Sequence, residues 1–299
     1  MGSRITLGIP KGSLQDKTLD LFRRSGLLFT GIERTLWLSS NDVEIAPVLL
    51  KPQEIPVYVA EGSLDCGITG YDWILETGTI PSLRTLLDLR YSKRTDLPVK
   101  WVLAVANSSP YQTVQDLKRQ KSLRVSTELK NVVTDWLATK GVIADISFSW
   151  GATEAKIPVF TDAIVDATET GESLRANDLR VIDVVLESMP RFIANKSIYA
   201  GDEWKQKKMV DLSILLKSCL LADSKANLQV IVPSDDLSAL LAMIPKAANY
   251  STSVNDKKET ILDIILDKDE VRPLLLNMAN NGVSQVVVTS PSLVYQSGE

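Results

Sequence analysis

Residues 162–174, DAIVDATETGESL, hold the densest set of groups able to do chemistry. The apolar run 163–165 reads as a short strand with Asp166 at its carboxyl end. Thr168, Thr170 and Ser173 then offer hydroxyls, and Gly171 permits a turn in which successive amides face inward. Glu172 and Leu174 complete the segment, and a helical turn starting at Ser173 would aim further unpaired N–H groups at the same place. Such a nest fits a phosphate monoester. Ionised Asp166 and Glu169 can accept hydrogen bonds from the hydroxyls of an attached ribose. A capped loop that uses Thr, Gly and Ser only as turn formers is the other reading of these residues.

A second group is Lys11-Gly12, which follows an apolar strand at 5–9. Lysine can hold a pyrophosphate as a mobile point charge, and it can equally be a surface residue in a turn. Asp65 and Asp72 flank the run GITG, where Thr69 and Gly70 can line a cleft. Alternatively Gly70 relieves crowding at a strand end while Asp72 caps the next helix. Arg175, Arg180, Arg191 and Lys196 can each bind phosphate or serve as surface charges. The six tryptophans are scattered, and most are expected in the core, with Trp150 set apart by its polar neighbours. Walker A, dinucleotide and zinc spacings are absent from the sequence. So is histidine, which excludes histidine bases and histidine metal ligands.

These groups need elements to hold them. Strand 5–9, a polar turn and helix 14–25 open an α/β unit, with Gly26 past the helix end. Strands at 43–50 and 64–69, a helix near 55 and a helical stretch from 70 continue it. This βαβαβ order predicts a mostly parallel sheet. Strands follow at 101–106, 123–126, 146–148, 163–166, 181–186 and 191–194, with a helix at 128–140 closed by Gly141. Thr113 is expected to cap a short helix, with Asp116 as its reciprocal partner. Residues 203–222 read as a long amphipathic helix. The expected architecture is α/β, two-lobed like periplasmic solute-binding proteins. Lobe I spans 1–97 and is completed by about 184–222; lobe II spans 98–183. From 225 to 299 the order β-α-β-β-α-β is ferredoxin-like, with Ser234 or Asp235 capping its first helix.

The chain has 299 residues, with 33 basic and 37 acidic side chains and a net charge of -4. That balance offers no general attraction to nucleic acid or anionic membrane. Cys66 and Cys219 are too few for a disulfide framework and read as buried hydrophobes. No signal segment and no membrane-length apolar run is seen, so a cytoplasmic protein is expected.

Together the segments resemble the ATP phosphoribosyltransferase family, the first enzymes of histidine biosynthesis. The matching stretches are IPKGSL at 9–14, 40–42, 53–56, GSLDCGITGYD at 62–72, SWGATEAK at 149–156 and DAIVDATETGESLRANDL at 162–179. RFIANK at 191–196 and residues 204–208 extend them. The trailing module looks like the regulatory domain of the long form, a homohexamer inhibited by histidine.

The resemblance implies transfer of phosphoribose from phosphoribosyl pyrophosphate to N1 of ATP, releasing pyrophosphate, with Mg²⁺ held mainly by substrate phosphates. It puts the phosphoribosyl pyrophosphate at Thr168, Thr170, Gly171, Glu172, Ser173 and Leu174. Lys11, Asp166 and Glu169 are the catalytic residues it implies, and Gly12, Lys51, Thr69, Gly70 and Asp72 the nucleotide-binding ones. No metal ligand is expected from the protein. Ser173 stands where the family commonly has Thr, and Lys51 where Arg is usual. Residues 248–254 and 257–260 replace a P-T-x-S-P-L stretch and a following G-W. The rival readings are a ligand-binding protein without chemistry, a transferase with another acceptor base, and a regulatory subunit that has lost catalysis.

Overall fold

The computed structural model describes residues 3–31, 35–91, 97–120, 122–233, 237–246, 248–256, 258–283 and 285–296. The chain divides into two compact units, Met1–Arg23 with Leu27–Ser213, and Arg24–Gly26 with Ile214–Glu299. The first unit contains two lobes.

Lobe I begins with β1 (Ile5–Pro10), α1 (Gln15–Arg24), the short β2 (Phe29–Thr30) and β3 (Ser39–Ser40), and β4 (Ile45–Leu50). It continues through α2 (Ile55–Ala60), β5 (Cys66–Gly70), α3 (Tyr71–Glu76) and β6 (Leu83–Asp88). Lobe II runs β7 (Val99–Ala106), α4 (Val114–Leu117), β8 (Leu123–Thr127), α5 (Lys130–Lys140) and β9 (Ala144–Phe148). A 3₁₀ turn (Thr153–Lys156), β10 (Ala163–Thr168), α6 (Glu172–Ala176) and β11 (Leu179–Ser188) complete it. The chain returns to lobe I as β12 (Pro190–Asn195), followed by α7 (Lys196–Gly201) and α8 (Glu203–Ser224).

The lobe I sheet has the order β4-β1-β5-β12-β6. Its first three strands are parallel, and β12 runs antiparallel to both neighbours. A mostly parallel sheet was expected; β12 is the antiparallel strand that the chain's return inserts. Gly67 permits close packing here, since a Cβ on it would lie 2.6 Å from Ile55 Cγ2. The lobe II sheet has the order β11-β7-β10-β8-β9. Strand β11 belongs to this sheet along its whole length, so lobe II reaches Ser188 rather than stopping at Asp183. One face of the sheet is closed by Val125, Val133, Leu137 and their neighbours, and the other by Val102, Ile164, Leu174 and Leu179.

Several local expectations hold. Gly141 ends α5 at φ +68°, and the Asp116 carboxylate accepts from the N–H groups of Gln112 and Thr113 ahead of α4. Two expectations are corrected. Helix α8 buries a stripe of Met209, Leu212, Leu216 and Cys219 yet leaves Val210 and Ile214 exposed, so its apolar residues are spread around it rather than on one face. Of the tryptophans, Trp101 is buried and Trp73 and Trp136 pack half-buried against the lobe II core, but Trp37 is exposed against expectation; Trp150, already set apart in the sequence, is exposed as well.

The second unit holds β13 (Lys225–Pro233), α9 (Leu237–Leu241), β14 (Asn249–Val254), β15 (Glu259–Asp267), α10 (Lys268–Asn280) and β16 (Val286–Thr289). Its sheet order β14-β15-β13-β16 with antiparallel pairing is the ferredoxin-like arrangement. Alternating residues of β13 and β15, among them Leu228, Val230, Leu262 and Ile264, form its core. The expected cap at Ser234 or Asp235 lies outside the described residues.

Candidate functional site

Between the lobes lies a cleft of about 690 Å³. Lobe II contributes Trp101, Glu128 and the turn from Asp166 to Ser173; lobe I contributes Leu14, Gln53, Gly70, Asp72 and Trp73. The turn exists because β10 ends against β7 at Thr168, and the chain must then reverse into α6. Gly171 makes the reversal at φ +74°, a left-handed conformation that side chains resist, and its N–H donates to Thr168 Oγ1 at 2.8 Å. Helix α6 begins at Glu172, one residue before the expected start at Ser173.

The acidic groups facing this turn are unlike surface carboxylates. Burial pushes the Asp166 carboxyl up to about 6, with the charges of Glu154 and Glu128 adding to the shift. Glu154 accepts from Ser173 Oγ at 2.5 Å, which holds it below the usual carboxylate range. Glu128 is raised by burial and by the charge of Asp72, with Lys156 pulling the other way. Ser149 and Thr153 anchor the segment that carries Glu154: their hydroxyls lie 2.8 Å apart, and Lys156 Nζ donates to Ser149 Oγ at 2.5 Å.

Asp72 ties the lobes together. It sits inside the first turn of α3, where Gly70 takes the N-cap position. One carboxylate oxygen accepts from the Trp73 N–H at 2.9 Å and the other from Trp101 Nε1, on β7, at 2.7 Å. Its own N–H donates to Ser188 Oγ at 3.0 Å. Burial raises its carboxyl despite these donors. The Trp73 and Trp101 rings meet edge to face at 6.1 Å.

The residues singled out in the sequence therefore divide. Asp166, Thr168, Glu169, Thr170, Glu172, Ser173, Gly70 and Asp72 line the cleft. Leu174 is packed into the lobe II core, and Gly171 borders a separate hollow of about 360 Å³ beside Arg175 and Arg180. Thr69 is fully buried and its hydroxyl donates to the Pro52 carbonyl at 2.6 Å. Lys11, Gly12 and Lys51 are exposed at the carboxyl ends of β1 and β4, with the Lys11 N–H bonded to the Leu50 carbonyl. They are not among the cleft-lining residues, although Ser13 and Leu14 beside Lys11 are.

Asp65 is structural, accepting from Thr6 and from Lys205 Nζ at 2.7 Å. Arg180 donates to four backbone carbonyls at the end of β7 and in the loop after it, and Arg191 pairs with Asp88 at 2.8 Å and stacks on Tyr71. Sequence reasoning missed Glu128, Glu154 and Trp101 as site groups. Glu154 had a signal in the polar break around Trp150 and in the stretch SWGATEAK, which pointed to the right segment and the wrong side chain; Glu128 and Trp101 had none. Among the described residues, no group of three or more Asp, Glu or Cys side chains is arranged to hold a metal ion.

The family model described as HisG, ATP phosphoribosyltransferase, matches residues 51–217. An ATP phosphoribosyltransferase of Thermodesulfovibrio yellowstonii is 44% identical over 284 residues, 95% of each chain. One of Prosthecochloris aestuarii is 41% identical over 283 residues, 94% of each chain. Among solved structures, an ATP phosphoribosyl transferase (HisG:HisZ) complex from Thermotoga maritima superposes with a TM-score of 0.62 at 25% identity, covering 73% of this chain and 98% of that one. With a match over more than half its length and relatives above 40% identity along nearly all of it, the chain belongs to the ATP phosphoribosyltransferase family.

Proposed function

We propose that the chain transfers the 5-phosphoribosyl group of phosphoribosyl pyrophosphate to N1 of ATP. The observation that carries this reading is the turn from Asp166 to Ser173, lining an interlobe cleft in a chain of this family. The 5'-phosphate is assigned to the hydroxyls of Thr168, Thr170 and Ser173, with Gly171 shaping the turn and Glu172 and Leu174 completing it. Asp166 and Glu169 accept from the ribose hydroxyls, and their charge suits a ribose that becomes cationic.

In the reaction the C1'–oxygen bond to pyrophosphate breaks and its electron pair leaves with pyrophosphate. The lone pair of adenine N1 forms the new bond to C1'. N1 carries no proton at neutral pH, so no general base is required, and the absence of histidine from the sequence is no obstacle. The protein's contribution is alignment of N1 with C1' and stabilisation of charge. Lys11 acts on the departing pyrophosphate. Gly12, Lys51 and Gly70 form the nucleotide side, with buried Thr69 and Asp72 acting from beneath it: Thr69 holds the Pro52 carbonyl and Asp72 fixes the lobes. Among the described residues no three carboxylates are grouped to hold a metal ion, and the Mg²⁺ of the family is assigned to the substrate phosphates.

The finer reading of the ferredoxin-like unit is regulation by histidine within a homohexamer, supported by the long-form resemblance and the βαββαβ fold. A cytoplasmic location is consistent with the lack, among the described residues, of a helix long and apolar enough to cross a membrane. The test is to incubate the pure chain with ATP, phosphoribosyl pyrophosphate and Mg²⁺ and measure phosphoribosyl-ATP and pyrophosphate. Equal amounts of both are expected, and no product from folded protein refutes the reading. Adding histidine is expected to slow the same assay; an unchanged rate removes the regulatory assignment.

A further inference from the structure

Glu154 is not explained by phosphate binding, because an anion is an odd neighbour for a phosphate site. Its carboxylate takes the hydrogen of Ser173 Oγ at 2.5 Å, the same hydroxyl assigned to the donor's phosphate. The backbone that carries it is pinned by the buried Ser149 and Thr153 hydroxyls and by Lys156. Gly151 at φ +117° and Ala152 at φ +46° form the bend just before it. The Glu154 side chain also shares a hydrogen bond with Asp166, so its departure from Ser173 is a side-chain rotation that leaves the pinned backbone in place.

We infer that Glu154 is an internal anion that occupies the Ser173 corner of the phosphate turn and is displaced when the donor's phosphate binds. The inference rests on the reading of residues 168–174 as that phosphate's site. A phosphate oxygen is chemically equivalent to the carboxylate in this position, since both accept one short hydrogen bond from a hydroxyl. The two anions cannot share it: Ser173 has one proton to donate. Empty of ligand, the turn is kept satisfied by its own chain, and the donor must compete for it. This makes Glu154 a brake on binding of any phosphate ester and a filter against weakly held ones.

The experiment is calorimetric titration of the full chain with ribose 5-phosphate. Glu154→Gln, and Glu154→Ala as a second variant, are expected to bind about tenfold tighter than the parent chain. Glu128→Gln removes an equal charge from the cleft without touching Ser173, and is expected to change affinity by less than about threefold. On a Ser173→Ala background, Glu154→Gln is expected to add nothing, because the contested hydroxyl is gone. Equal or weaker binding by both Glu154 variants overturns the inference, as does a Glu128→Gln gain as large as theirs. Failure of the parent reading has a different signature: the parent chain binds ribose 5-phosphate, but Thr170→Trp leaves that binding intact, or no binding occurs in any variant.

Discussion

Strand β10 is flanked by an aspartate before its first residue and carries another near its end, and the two sites are opposites. Asp162 precedes the strand and is paired with Arg124, which donates to both carboxylate oxygens, at 2.8 and 3.2 Å. That guanidinium holds its carboxyl low. Four residues on, Asp166 faces the cleft with Glu154 and Glu128 as its charged company, and burial pushes it up to about 6. The same residue type is a stabilising ion pair just before the strand and a strained charge near its far end. Pairing of Asp166 would remove the strain and also the accepting oxygens of the proposed ribose contact, so under that proposal the cost is located where ligand binding can relieve it.

The sharpest way to break the comparison is to fill the cleft end and leave the paired end alone. Thr170→Trp places a bulky ring on an exposed turn residue, so the fold should survive. Affinity for phosphoribosyl pyrophosphate is expected to fall by at least about a hundredfold, with thermal unfolding unchanged. Unaltered binding would move the phosphate site elsewhere.

Next in size is Asp166→Asn. The folded-state value near 6 lies above the ordinary 3.8, so the ionised carboxylate opposes folding. That penalty is fully present above about pH 6, shrinks as pH falls towards 3.8, and is absent below it. The variant is expected to be more stable than the parent by about 2 kcal/mol at about pH 8 and equal to it near pH 4. Denaturant melts at the two pH values check this, and a gap that does not narrow with acid refutes it. Turnover should move the other way, falling by about tenfold or more as the ribose loses its acceptor.

Half of this contrast was readable in the sequence. Asp166 at a strand end before Thr-Gly-x-Ser is a local pattern, and local patterns survive without tertiary knowledge. The β-α-β-β-α-β order of residues 225–299 was equally plain, because β13 and β15 are short apolar-rich runs, and in the fold they bury every second residue. The partners of Asp166 and Asp72 were not readable. Glu154 reaches Ser173 across 19 positions, and Trp101 reaches Asp72 across 29, on different lobes. Strand β6 also escaped notice, since its residues are half-buried or exposed without alternation and it is ordered by pairing with β12 from far along the chain.

A smaller effect tests whether the lobes are joined where the structure joins them. Trp101→Phe keeps the ring against Trp73 but removes the indole donor, leaving one oxygen of buried Asp72 without that partner. A loss of about 1–3 kcal/mol is expected, and Asp72→Asn in the same background should recover part of it because an amide is less costly to bury. No loss on Trp101→Phe would mean that water takes the indole's place.

The smallest expected effect returns to the paired end of β10. Asp162→Asn removes the carboxylate from Arg124, and an argument from pairing alone would expect a large loss. The pair is partly solvent-exposed, with the arginine side chain 47% and the aspartate 24% accessible, so water screens part of the attraction. A loss of about 0.5 kcal/mol is therefore expected at neutral pH. Because the folded value is lowered, this contribution is present above the ordinary 3.8 and disappears as pH falls through the folded-state value. Acid thus acts in opposite directions on the two aspartates. Between about pH 6 and 4 the Asp166 penalty fades while the Asp162 pairing is still intact, and only below that does the pairing go. Melts of the two single variants should differ in sign above about pH 6 and approach each other as pH falls towards 4, because the Asp166→Asn gain fades first. If Asp162→Asn costs as much as Asp166→Asn gains, exposure does not govern the difference and the contrast between the two ends must be explained by backbone geometry instead.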